Sequence, residues 1–170
     1  TREDVDALAM QSQQRAARAW DEGRFAGAVV PVRDVNGLTL LDHDEHRRPK
    51  TDMQSLGGLK PSFAVMAEQG GFAAVGIQAH PEVEAIRHVH HAGNSSGVVD
   101  GAAALLLASP EYATKQGWTP RARVVAFCNM GDCPSLMLNA PVPAAKRVLA
   151  KAGLEKADID LWEINEAFAV

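Results

Sequence analysis

Apolar residues recur along the first twenty positions at helical spacing. Val5, Leu8, Ala9, Ser12, Ala16 and Ala19 fall on one face, with charged residues between them. Thr1 with Asp4 three residues on is a capping box at the start of that face, and Gly23 ends it, so the pattern predicts one long scaffold helix. The rhythm then shortens. Residues 28–35 and 38–41 read as two strands joined at Asn36-Gly37, a pair that accepts the positive φ of a type I′ turn. Residues 42–50 are charged and contain Pro49, which predicts a loop, and a short helix is expected from Thr51 through Leu56. Gly70-Gly71 marks a break, and the stretch from Pro81 to Arg87 has the composition of a further short helix.

The second half is more apolar. Val98 to Ala108 is apolar on all sides, which predicts a helix buried all round. Ser109-Pro110 reads as the cap and first turn of another helix, ended by Gly117. Residues 121–128 are expected as a strand, 134–143 as a loop, 144–152 as a helix closed by Gly153, and 159–164 as a strand leading into Asn165. Strand, loop, helix and strand in that order form a βαβ unit, so the fold class is α/β.

Composition narrows the partners. A content of 46% hydrophobic residues over 170 positions supplies a core for one domain or parts of two, and the net charge of −4 lacks the clustered cations of a nucleic-acid surface. No apolar run reaches the roughly 18 residues of a membrane span and no signal peptide opens the chain, so a soluble, cytoplasmic protein is expected. Cys128 and Cys133 are too few for a disulfide framework and poorly spaced for zinc; both are expected to be structural.

Several positions carry candidate chemistry. The Asn165 amide at a strand-to-helix turn is either a cap or a holder of a water or an oxyanion. On residue type the 42–50 loop reads as a solvated surface. His88, His90 and His91 read as hydrogen-bonded structural residues, as pocket residues, or as metal ligands; no carboxylate or cysteine adjoins them at ligand spacing. The turn from Ala92 to Gly97 is built of small residues that admit a ligand close to the backbone. A serine nucleophile there lacks a G-x-S-x-G elbow. Asp100 is expected to cap or tie the helix that follows rather than act as a base.

Taken together, the run from Ala92 through Gly97 to Ala104, Gly131-Asp132-Cys133-Pro134, and Asn165 to Ala169 resemble the thiolase family, the acyl-CoA C-acyltransferases, whose signatures read A-G-N-x-S-G-x-x-D-G-A-A-A, G-x-x-P and N-E-A-F-A. The resemblance implies a thiolase-like α/β fold of two similar mixed-sheet halves around buried helices with an inserted loop domain, only partly present. Residues 1–98 would be the CoA-binding loop domain, 99–119 the end of the N-terminal half and 120–170 the start of the C-terminal half. The family's nucleophilic cysteine would lie upstream of Thr1, and its catalytic histidine and second cysteine downstream of Val170. The polypeptide alone is then expected to fold poorly and be inactive.

By the same resemblance, acyl-CoA and coenzyme A are the partners, coenzyme A serves as substrate or product, and no cofactor or metal is needed. Asn165 would be catalytic, holding a water in an oxyanion hole. Arg48 and Ser55 would contact the nucleotide end of CoA. Ala92, Gly93 and Ser96 would line the pantetheine tunnel, and Ala167 and Phe168 would be substrate-binding. Met137 would pack against the CoA tail or serve as an ordinary core methionine. Thiolases are usually dimers or dimers of dimers, so a homodimer or homotetramer is expected. The long 63–91 connection would reshape the acyl pocket or touch a neighbouring subunit, and the histidine cluster departs from the small residues common in the family. A non-catalytic thiolase-like acyl-CoA-binding protein would share every one of these motifs. Ketoacyl synthases use histidines where this chain has N-E-A-F, and a histidine-based metalloprotein would retain zinc or copper.

Overall fold

Thr1 accepts the Asp4 amide on its hydroxyl and opens α1 (Arg2–Asp21), twenty residues long, as the capping box predicts. The computed structural model describes residues 1–134 and 137–170; residues 135 and 136 of the expected 134–143 loop lie outside them. The chain divides into two units, one made of Thr1–Asp100 with Glu166–Val170 and the other of Gly101–Asn165.

In the first unit α1 buries Val5 and Ala9, and also Asp6. A small antiparallel sheet follows, β1 (Val32–Arg33) with β2 (Thr39–Leu41). Its connection is not the type I′ turn expected, because Gly37 alone in it takes positive φ, +85°, and Asn36 does not. Asp34 organises the turn instead. Its carboxylate accepts the Asn36 and Leu38 amides at 2.8 Å, and its carbonyl accepts the Gly37 amide at 3.1 Å. That local side-chain bonding outweighs the left-handed preference of Asn-Gly.

The predicted short helix forms as α2 (Met53–Gly57), capped by Asp52. The Gly70-Gly71 break separates α3 (Ala64–Gln69) from α4 (Phe72–Ala79), with Gly71 at φ +73°. Residues 81–87 are not helical, and neither are 166–170; the latter return as a short extended segment bridged to Ser95.

The second unit contains α5 (Pro110–Lys115), capped by Ser109, and α6 (Pro141–Ala152), which ends at Gly153 with φ +68°. Two prolines fit the first turn of α6, since their missing N–H groups have no intrahelical partner there. The expected buried helix over 98–108 is absent, and the expected strands over 121–128 and 159–164 are absent as well. Val98, Leu105, Val124 and Leu161 are exposed. A helix apolar on every side depends on packing more than on propensity, and a strand needs a neighbour to bond its backbone; neither is available among the described residues. What remains of the βαβ unit is side-chain contact. Cys128 Sγ donates to the Ala144 carbonyl at 3.3 Å, and Lys151 Nζ donates to the Phe127 carbonyl at 3.2 Å while sitting 4.8 Å from that ring.

Candidate functional site

Asn94 organises the small-residue turn. Its side-chain oxygen accepts the His91 amide at 2.8 Å, and its Nδ2 donates to the Val89 carbonyl at 3.0 Å and to Asp6 at 2.8 Å. His91 is fully buried, with Nε2 2.8 Å from Asp6 Oδ1 and Nδ1 accepting the Gly93 amide at 3.0 Å. That pair of bonds assigns the neutral ring with its proton on Nε2. Both nitrogens are engaged, so His91 is structural and unavailable to a metal. His90 packs its ring 5.1 Å from Phe168, and its Nδ1 is buried without a partner. Among the described residues no three metal-binding side chains converge.

The tail residues dock on this turn. The Ser96 amide donates to the Ala167 carbonyl at 2.7 Å, the Ala169 amide to the Asn94 carbonyl at 3.0 Å, and Ser95 pairs with Phe168. Phe168 also meets Phe63 edge to face at 5.9 Å. Two segments seventy residues apart in the sequence are thus held side by side by backbone bonds, and Ala92, Gly93, Ser96, Ala167 and Phe168 come together in the first unit. Beside them is a cleft of about 280 Å³ lined by Ser96, Gly97, Gln13, His46 and Glu166 among others. The Ser96 hydroxyl has a single weak contact, 3.5 Å to the Gly97 carbonyl, which leaves it able to turn to a ligand.

Glycine is required here by packing. A Cβ on Gly93 would lie 2.6 Å from Leu56 Cδ2 and 2.8 Å from Leu59 Cδ1, and one on Gly97 would strike the His46 ring. Backbone and helix α2 therefore approach closely, as small residues permit.

Arg48 is exposed, and its guanidinium bonds the Glu45 carbonyl at 2.9 Å, while its backbone amide donates to Gln13 of the cleft at 2.7 Å. Ser55 serves in the α2 cap: it accepts the Asp52 amide at 3.2 Å and donates to the Asp52 carbonyl at 2.9 Å. One hydroxyl lone pair remains for a ligand. Asn165 and Met137 belong to the second unit, both exposed, Met137 at φ +54°.

The residues that sequence reasoning missed are Asp6 and Arg2. Asp6, 2% exposed, accepts from Arg2 Nε, Asn94 Nδ2 and His91 Nε2, each at 2.8 Å. Burial pushes its carboxyl up, but the hydrogen bonds from Arg2, Asn94 and His91 outweigh that and hold it below the usual carboxylate range. The available signal was the Arg2–Asp6 spacing of four beside the Val5–Ala9 stripe.

The chain is similar to known proteins over nearly all its length. Residues 1–74 match the family model described as thiolase, N-terminal domain, and residues 118–170 match that described as thiolase, C-terminal domain. The chain is 45% identical over 172 aligned positions to a 3-oxoadipyl-CoA/3-oxo-5,6-dehydrosuberyl-CoA thiolase of Escherichia coli (strain K12), covering 99% of this chain and 38% of that protein. It is 43% identical to a β-ketoadipyl-CoA thiolase of Pseudomonas aeruginosa, covering 99% and 37%. Among solved structures, human mitochondrial 3-ketoacyl-CoA thiolase in complex with CoA superimposes with a TM-score of 0.78 at 39% identity, over 99% of this chain and 37% of that one. The chain therefore spans less than two fifths of the length of these relatives.

Proposed function

The chain belongs to the thiolase family, and from that premise we propose that the full-length protein is an acyl-CoA C-acyltransferase, making or cleaving 3-ketoacyl-CoA by Claisen chemistry. In this reading a cysteine outside these residues takes the acyl group, and a second moves the α-proton while hydrogen-bond donors stabilise the enolate and the thioester oxygen. Coenzyme A enters as substrate or product, and the reaction calls for no further cofactor. The observation that carries the proposal is the pairing of the Ser95–Ser96 turn with the Ala167–Ala169 tail, in a chain 45% identical to a thiolase over nearly all its length.

Ser96 offers its hydroxyl to the pantetheine arm, and Ala92 and Gly93 present backbone close to it. Arg48 and Ser55 serve the nucleotide end; a planar guanidinium suits phosphate and stacks on adenine. Met137 and Phe168 add apolar contact, with Ala167 small enough to leave room. Asn165 holds the water of an oxyanion hole. Relatives named β-ketoadipyl-CoA thiolase make a 3-ketoacyl-CoA with a second, distal carboxylate the first substrate to assay. Among the described residues no helix is long and apolar enough to cross a membrane, and a cytoplasmic homodimer or homotetramer with a role in acyl-chain metabolism fits the reading.

The test is Asn165→Ala in the full-length enzyme, assayed by cleavage of 3-oxoadipyl-CoA. Turnover falls by about 10²–10³-fold, the usual cost of removing one oxyanion-hole donor, while CoA affinity stays near that of the parent. An unchanged turnover number removes Asn165 from the mechanism.

A further inference from the structure

The buried carboxylate of Asp6 joins two segments that the acyl-CoA reading assigns to opposite ends of the same ligand. Through Oδ1 it takes hydrogen bonds from His91 and Asn94, which shape the turn ending in Ser96. Through Oδ2 it takes one from Arg2 Nε, whose Nη2 donates to the carbonyls of Leu56 at 2.8 Å and Leu59 at 2.9 Å. Leu56 lies in α2, the helix that carries Ser55, and Leu59 follows just past its C-cap Gly58. The Gly93 backbone lies against the side chains of the same two leucines, so the link is a polar bridge over an apolar contact.

We infer that Asp6, with Arg2 and His91, is a positioning device that fixes the separation between the nucleotide-side segment at Ser55 and the pantetheine-side turn at Ser96. The inference rests on the proposed acyl-CoA function and deepens it. A ligand long enough to reach both segments gains from its second contact only when the two are held at a matching span, because linkage raises the effective concentration of the second end. A shorter ligand touching one segment gains nothing from the spacing. The network suits such a ruler. A buried carboxylate stripped of one partner is strongly disfavoured, so the bridge is either fully made or lost.

The experiment is calorimetric titration of the full-length protein with CoA and with pantetheine, in the parent, Asp6→Asn and Arg2→Lys. Lysine keeps the charge but lacks the fork that reaches Asp6 and both carbonyls together. In each variant CoA binding weakens about tenfold more than pantetheine binding, so the preference for the longer ligand shrinks. Parallel losses for the two ligands, or no loss for either, in a variant with a parent-like melting temperature overturn the positioning role. If Asp6→Asn fails to fold, Arg2→Lys decides by the same criterion. A parent that binds no CoA overturns the functional reading and this inference with it, whereas a parent that prefers CoA with parallel losses in the variants overturns the inference alone.

Discussion

The two units share a chain, and the second is the richer in apolar residues, yet less of its written pattern becomes structure. In the first, α1 and α2 appear close to where their caps place them, and the signature turn is stitched to α1 by a buried charge network. In the second, the two capped helices form, while the most hydrophobic stretches, 101–108 and 121–128, stay largely exposed and irregular. Hydrophobicity by itself therefore does not specify an element. A helix is secured locally by its caps, whereas an all-apolar helix or an interior strand exists only when neighbouring layers cover it.

The contrast breaks first at Asp6. Asp6→Ala removes the acceptor of Arg2 Nε and His91 Nε2 and one of the two acceptors of Asn94 Nδ2, and should cost about 3–5 kcal/mol in denaturant unfolding of the full-length protein. The effect carries a pH signature. Because the folded-state carboxyl is held below 3.8, its contribution is present above the unfolded value and is lost as pH falls through the lower folded one. The gap between parent and variant should accordingly narrow in acid, and a gap that stays constant as pH falls from neutral to well below 3.8 would remove the charge from the explanation.

Gly93→Ala is next. The added methyl must displace Leu56 and Leu59, and the expected loss is about 1–3 kcal/mol, read from the unfolding midpoint. A neutral result would mean that α2 and the turn are not packed as described. Smaller still is Ser109→Ala, which removes the N-cap of α5 and should cost about 1 kcal/mol, the second unit's counterpart to the capping of α1. The smallest effect sharpens the comparison most. Leu105 is 91% exposed, so Leu105→Gln in the 170-residue chain should change stability by less than about 0.5 kcal/mol; a larger loss would show that the 98–108 stretch has found a packing partner.

Reading from sequence succeeded where the chemistry was short-ranged. Thr1 with Asp4, Ser109-Pro110 and Gly153 each bond or bend within a few residues, and each element boundary lies near its signal. The signature around Ala92 and the one at Asn165–Ala169 were also legible, because family motifs are written in residue order. The Asn36-Gly37 turn failed for a local reason too, since the Asp34 carboxylate captured amides that the pair's φ preference did not account for.

The sequence alone determined the caps, the breaks and the motifs, since these depend on atoms only a few bonds to a few residues apart. Only the tertiary structure decided that Ser96 would meet Ala167, that His91 would be a buried partner of Asp6, and that the apolar runs of the second unit would go uncovered. Those outcomes depend on which distant groups come together to share hydrogen bonds and exclude water. Spacing along the chain does not encode that until the fold has closed it.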